Sequence, residues 1–229
     1  NLTGENKQAF LDAFCRRRLT YGDIVGKPEL REGICDLFKT LNPNEVVTTH
    51  GAAGANHLAM YALMRPGDHV ICVLPTYQQL YSIPQSFGAQ VDLLPLREEN
   101  GFLPDLDELR GMIKPNTRLI CLNNPNNPTG AVYSKEVLLA IAEIARQHHL
   151  VILADEIYDR LVMDGLRHES IGALAPDLPC VTFNGLSKSH IICGFRCGWM
   201  VFSGPKGELD AVKDGVMQLA SMRLCGNAL

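Results

Sequence analysis

The sequence lacks what would take it into a membrane or onto a nucleic acid. No apolar run approaches the ~20 residues that span a bilayer, and no signal peptide is visible. Over 229 residues the formal net charge is −4, which leaves no electrostatic case for nucleic acid. The only basic run, Arg16-Arg17-Arg18, reads as a solvated helix face. No Gly-Lys-Ser/Thr phosphate loop, no G-x-G-x-x-G fingerprint and no Ser/His/Asp order for acyl transfer stands out. Repeats, low-complexity linkers and charge-shift boundaries are missing too, so residues 1–229 read as one domain.

The eight cysteines are scattered, and several, such as Cys72 and Cys121, lie inside apolar runs. That pattern fits buried free thiols in a reducing compartment, the cytoplasm, better than a disulfide framework. Cys193 and Cys197 have no second Cys or His pair at ligand spacing, so no metal site is expected. The chain begins with Asn1 rather than Met and stops at Gly226-Asn227-Ala228-Leu229 after a helical stretch with no stop element; a fragment is expected.

Hydrophobic residues make up 46% of the chain, ample for a core. Short apolar runs predict strands over Val46 to Thr49, His69 to Leu74, Val91 to Leu96, Arg118 to Leu122, Val151 to Ala154, Val181 to Phe183 and Gly198 to Phe202. Between them lie helical patterns. Pro28 opens one with the buried stripe Leu30, Ile34, Leu37 and Phe38. Others cover Ala52 to Met64, Tyr77 to Phe87 despite Pro84, Asp105 to Ile113, and Glu208 to Leu224. Ser134 caps a further helix whose apolar face is Leu138, Ile141, Ile144 and Ala145. Strands apolar on both faces, alternating with helices, predict an α/β fold with a mostly parallel central sheet and helices on both faces. In such sheets ligands sit beyond the carboxyl ends of the strands, and the polar motifs below are all expected there.

Lys188 lies in Asn184-Gly185-Leu186-Ser187-Lys188-Ser189, with Arg196 downstream. An imine-forming lysine reacts as the neutral amine; Arg196 and the apolar Leu186, Ile191 and Ile192 favour that form. The guanidinium fork of Arg196 matches a phosphate. His50-Gly51-Ala52-Ala53-Gly54-Ala55-Asn56 is a small-residue loop running into a helix, whose N–H groups can approach an anion. Asp155 ends an apolar run, where a carboxylate is costly unless paired. A turn brings Tyr158 near it, and Asn127 sits in Asn126-Asn127-Pro128-Thr129-Gly130. Tyr77 can stack on a ring. Taken singly, each has a plainer reading: a surface lysine, an ion pair, a tight turn, a helix cap, core tyrosines, a turn asparagine. Jointly they supply an amine for an aldehyde, an arginine for a phosphate, a carboxylate for a ring nitrogen and two donors for a phenolate oxygen. That set matches pyridoxal 5'-phosphate (PLP).

Three stretches carry a resemblance to a known family: Asn126-Asn127-Pro128-Thr129-Gly130, Asp155-Glu156-Ile157-Tyr158, and Ser187-Lys188 through Gly194-Phe195-Arg196-Cys197-Gly198-Trp199. In order and spacing the chain resembles the class I/II aminotransferases of PLP fold type I over essentially its whole length. From about Lys114 onward it is similar to bacterial glutamate–pyruvate (alanine) aminotransferases. The first half, with Thr20-Tyr21-Gly22-Asp23 and Pro75-Thr76-Tyr77-Gln78-Gln79, is more generic. The resemblance implies a PLP-binding large domain truncated at both ends, the small domain missing. It implies Lys188 as imine lysine and proton shuttle, Asp155 on the ring nitrogen, Asn127 and Tyr158 on the phenolate oxygen, and Tyr77 as the stacking ring. Gly51, Ala52, Ala53, Ser187 and Arg196 would surround the phosphate. Tyr21 would reach the phosphate of a neighbouring subunit, because the family forms homodimers with shared sites. Amino acids and 2-oxo acids would be the substrates, possibly alanine and 2-oxoglutarate. A β-lyase or decarboxylase would use the same ring contacts, and a non-catalytic PLP-binding fragment or sensing domain would keep them without turnover. Gly185 stands where many relatives carry serine, and no counterpart of the family's substrate-gripping arginine is found.

Overall fold

A computed structural model describes residues 4–18, 20–38 and 42–223, without the side chains of Glu5, Leu37 and Phe38. The side chains of the Leu37 and Phe38 stripe positions, and residues Leu224 and Cys225 altogether, therefore lie outside what is described.

Among the described residues seven strands form one sheet: β1 (Val46–His50), β2 (His69–Leu74), β3 (Gln90–Pro95), β4 (Thr117–Asn123), β5 (Val151–Asp155), β6 (Cys180–Gly185) and β7 (Cys197–Ser203). Their order is β1-β7-β6-β5-β4-β2-β3. The pairs β2–β3, β2–β4, β4–β5 and β5–β6 are parallel, whereas β7 runs antiparallel to both β6 and β1. The sheet is thus mostly parallel, with β7 alone reversed.

Side chains alternate across this sheet with the period of two that strands impose. Val70, Cys72, Leu119, Cys121, Leu153, Val181 and Phe183 face one side. There they meet Ala55, Leu58 and Ala59 of α3 (Gly51–Leu63), Leu80 of α4 (Gln79–Ser86), and Val216 and Ala220 of α9 (Asp210–Met222). Ile71, Val73, Ile120, Leu122, Ile152 and Ala154 face the other side. They pack on Leu109 of α5 (Leu106–Gly111), on Leu138, Ile141, Ile144 and Ala145 of α6 (Lys135–Gln147), and on Ile171 of α7 (Ile171–Leu174). Burying each such aliphatic side chain contributes about 1.5–3 kcal/mol. A third cluster joins Ile34 and Cys35 of α2 (Pro28–Phe38) to Val46, Trp199 and Val201. Ser134 caps α6 as expected, its hydroxyl accepting from the Val137 N–H at 3.4 Å.

Two expectations are corrected. A helix not read from the sequence, α1, covers Gly4–Cys15. It ends just before Arg16, so the arginine run lies exposed in the following turn rather than on a helix face. The described cysteines are free thiols as expected, but their burial divides: Cys35, Cys72, Cys121 and Cys180 are buried, Cys15 and Cys193 are exposed, and Cys197 is half-buried. Among the described residues no helix is long and apolar enough to cross a membrane.

Candidate active site

A cavity of about 180 Å³ opens at one edge of the sheet, lined by Ala52, Ala53, Tyr77, Asn127, Asp155, Tyr158, Ser187, Lys188 and Arg196. These nine residues were singled out from separate stretches of sequence. Asp155 ends β5, Asn127 follows β4, Tyr77 follows β2, and Lys188 lies on α8 (Leu186–Ser189), directly after β6. All of them stand beyond strand carboxyl ends. Arg196 does not: it immediately precedes β7. Because β7 is antiparallel, its amino end reaches the same edge of the sheet, and the guanidinium arrives there anyway.

The floor is tightly framed. Asp155 is 7% exposed, and its Oδ1 accepts from the Ile157 N–H at 3.1 Å. Desolvation by burial pushes its pKa up to about 6, and the Glu156 carboxylate adds to the rise. The Ile157 N–H and the positive charge of Lys188 oppose it. The Asp155 carbonyl accepts from Asn123 Nδ2 at 3.1 Å and from the Asn124 N–H at 3.0 Å. Asn123 Oδ1 in turn accepts from the Asn127 N–H at 2.6 Å. One buried asparagine thus ties the Asn-Pro turn to the strand that ends in Asp155.

The phosphate-type corner lies at the start of α3. Its N-cap residue, His50, makes no side-chain capping bond, so first-turn N–H groups remain able to bind an anion. Arg196, in the left-handed region at φ 53°, donates from Nη1 to the Cys193 carbonyl at 2.8 Å and lies over the same turn. Gly51 does not itself line the cavity; a Cβ there would fall 2.2 Å from Arg196 Nη2. At Gly198 a Cβ would fall 2.3 Å from the Gly51 carbonyl carbon and 2.4 Å from the Ala52 nitrogen. Only glycine lets β7 come this close to the helix. Gly185 has a similar cause, since a Cβ would meet the Cys197 carbonyl oxygen at 2.7 Å.

The rim departs from expectation. Lys188 and Arg196 are exposed, and Ile191, expected to give the lysine an apolar setting, is 87% exposed. Lys188 is carried on the short α8, whereas Ile191 and Arg196 lie on the segment between α8 and β7. Lys188 Nζ lies 5.7 Å from the centroid of the Tyr158 ring. Tyr77 is 45% exposed rather than packed in the core. Tyr21 is 80% exposed and does not line the cavity.

Asn56, Gln79, Asn123, Ile157 and Cys193 also line the cavity and had not been assigned to it. Asn123 continues the asparagine run and was within reach of the sequence pattern. Asn56, 3% exposed on an otherwise apolar face of α3, appeared only as the end of a small-residue stretch. Its Oδ1, together with Gln79 Oε1, is buried with no hydrogen-bond partner. Buried amide oxygens rarely go without a partner, so the cavity has the character of a place for a polar ligand. A buried, proton-ready carboxylate at one end and a guanidinium over a helix start at the other fit a pyridine ring bearing a phosphate. The residues present therefore fit PLP.

Comparison with known proteins agrees. The family model described as aminotransferase class I and II matches residues 3–224. The glutamate–pyruvate aminotransferase AlaA of Escherichia coli strain K12 is 51% identical over 224 residues, covering 90% of this chain and 55% of that protein. An alanine aminotransferase of Mycobacterium bovis is 38% identical over 205 residues, 89% of this chain and 47% of its own. Among solved structures, the alanine aminotransferase of Pyrococcus furiosus superposes with a TM-score of 0.92 at 35% identity, covering 97% of this chain and 57% of that one. The chain spans about half the length of the curated relatives it matches.

Proposed function

From the premise that this chain belongs to the class I and II aminotransferases, we propose that it binds PLP and serves transfer of an amino group between an amino acid and a 2-oxo acid. Alanine and 2-oxoglutarate are the pair favoured, because relatives named for glutamate–pyruvate and alanine transfer share 51% and 38% of aligned residues. The observation that carries the reading is Asp155: a buried carboxylate, its pKa raised to about 6, in one cavity with Lys188 and Arg196.

When bound, the cofactor's ring serves as an electron sink for negative charge at the substrate α-carbon. Asp155 accepts the hydrogen bond of the protonated ring nitrogen and keeps that proton in place. Asn127 and Tyr158 donate to the phenolate oxygen. Arg196, Ser187 and the N–H groups of Ala52 and Ala53 at the start of α3 hold the phosphate, and Gly51 leaves room for the guanidinium. Tyr77 covers a ring face. Lys188 would take the substrate α-proton as base and return it as acid. Its exposure suits a group that must both bond and let go.

The reading extends to residues 1–229 as the cofactor-binding large domain of such an enzyme. It includes a homodimer in which Tyr21 reaches the phosphate of the second subunit, in keeping with the exposure of Tyr21 in the single chain. A cytoplasmic location accords with four buried free thiols, Cys35, Cys72, Cys121 and Cys180.

Titration of the purified chain with PLP, followed by alanine and 2-oxoglutarate with product analysis, tests the reading. Saturable binding and formation of pyruvate and glutamate are expected. Failure to bind PLP would overturn the reading; binding without product would reduce it to a cofactor-holding fragment.

A further inference from the structure

Behind the cavity lies a second pair of ionisable groups that the chemistry above does not use. Glu156 follows Asp155 directly and is 2% exposed. Its backbone N–H donates to the Phe183 carbonyl of β6 at 2.9 Å, which pins it to the sheet. Its carboxylate faces away from the cavity. Oε2 lies 3.2 Å from His168 Nε2, and Oε1 accepts from the Ile171 N–H at 3.2 Å. One side chain therefore ties the end of β5 to two points of chain twelve and fifteen residues further on. Between these ties runs the segment that carries Tyr158, held locally by Asp159 N–H to the Glu156 carbonyl at 3.0 Å and Leu161 N–H to the Tyr158 carbonyl at 2.8 Å.

Resting on the PLP reading, we propose that Glu156 and His168 form a buried clamp that positions Asp155 and Tyr158 on the cofactor ring. A pair of this kind is an expensive way to gain stability alone, because desolvating two charges offsets much of their attraction. What it gives is direction: both carboxylate oxygens are committed, so the turn after β5 has one arrangement. Elsewhere in the segment the polar atoms offer no substitute. His168 Nδ1, Asp159 Oδ1 and Ser170 Oγ are buried with no hydrogen-bond partner among the described residues. Burial by itself would lower the pKa of His168, but the hydrogen bond and charge of Glu156, with Asp159 and Glu169, raise it instead. The contact with Glu156 thus favours the protonated ring of His168. Neither residue touches the cavity, so both are positioning residues.

The test measures PLP affinity of the wild-type chain, His168→Ala, His168→Gln, Tyr158→Phe and the His168→Ala/Tyr158→Phe double variant, with circular dichroism to confirm folding. His168→Ala is expected to weaken PLP binding about tenfold, the scale of losing one partner of a buried charged hydrogen bond. It should also move the pH at which the bound-cofactor absorbance changes, in the direction Tyr158→Phe moves it. His168→Gln, which keeps a donor, should restore most of both. In the double variant the two losses should combine to less than their product, because one acts through the other. Fully multiplicative losses, or an unmoved absorbance transition in folded His168→Ala, would overturn the clamp. Should His168→Ala fail to fold, His168→Asn, too short to reach Glu156, decides: weaker binding with a shifted transition in a native fold supports the clamp, and unchanged affinity and transition overturn it. Failure of the wild-type chain to bind PLP would sink the functional reading itself, a distinguishable result.

Discussion

The floor and the rim of the cavity are built differently. Asp155, Asn123 and Asn56 on the floor are 7%, 1% and 3% exposed, and the first two sit at the ends of strands paired in register, Asn123 opposite Asp155. Tyr77, Phe195 and Ile191 on or near the rim are 45%, 46% and 87% exposed and hang on short turns. The floor is part of the hydrophobic sheet, and its geometry exists before any ligand arrives. The rim is a set of largely exposed side chains carried on short connecting segments. On the proposed reading, the selectivity for a ring with a charged nitrogen would be stored in the buried floor, whereas the amine of Lys188 stands on the exposed rim.

The sharpest way to break this division is Lys188→Ala. All amino-group transfer, and all cofactor trapped by borohydride on this chain, should vanish. Stability of the unliganded protein should change by no more than about 0.5 kcal/mol, as for exposed positions. A large loss in thermal midpoint would show that the rim is structural after all.

Asp155→Asn probes the opposite pole. The raised pKa means that the folded, unliganded protein disfavours the charged carboxylate. Its stability is then highest below the unfolded value near 3.8, falls as pH rises toward about 6, and levels off above. At about 1.4 kcal/mol per unit, the difference of roughly two units corresponds to a cost on the order of 3 kcal/mol at neutral pH. The unliganded Asn variant should therefore melt higher than wild type at pH 7.5 and lose that advantage near pH 4, while binding PLP more weakly. Equal melting curves at both pH values would contradict the burial argument.

Gly198→Ala tests the joint between the two regions. The added methyl must displace the backbone at Gly51 and Ala52, at a cost of about 1–3 kcal/mol for overpacking, and it should weaken binding of inorganic phosphate more than binding of a phosphate-free pyridine aldehyde. Equal weakening of both would place the damage elsewhere.

Much of this was legible from residue order. The run His69 to Leu74 forms β2 with those bounds, because a buried strand shows as a continuous apolar run, here Val70 to Leu74. Asp155 was conspicuous because a carboxylate after four apolar residues demands a reason. By contrast α1 was missed; Phe10, Leu11 and Phe14 are exposed, so its apolar residues mark no buried face. Asn56 went unassigned because a polar residue within a helix carries no motif, and only its missing partner shows its orientation. The apolar shelter expected of Ile191 failed for a related reason: side-chain type says nothing about whether anything packs against it.

Sequence alone determined the alternation of strands and helices and the kinds of chemical group available, since apolar periodicity and side-chain chemistry are local properties. Only the tertiary structure decided that β7 runs backwards and so delivers Arg196 to the start of α3, that Asp155 is buried while Lys188 is open, and that Glu156 faces His168 rather than the cavity. Strand direction, burial and side-chain partners are set by contacts between residues far apart in the chain, which no stretch of sequence contains.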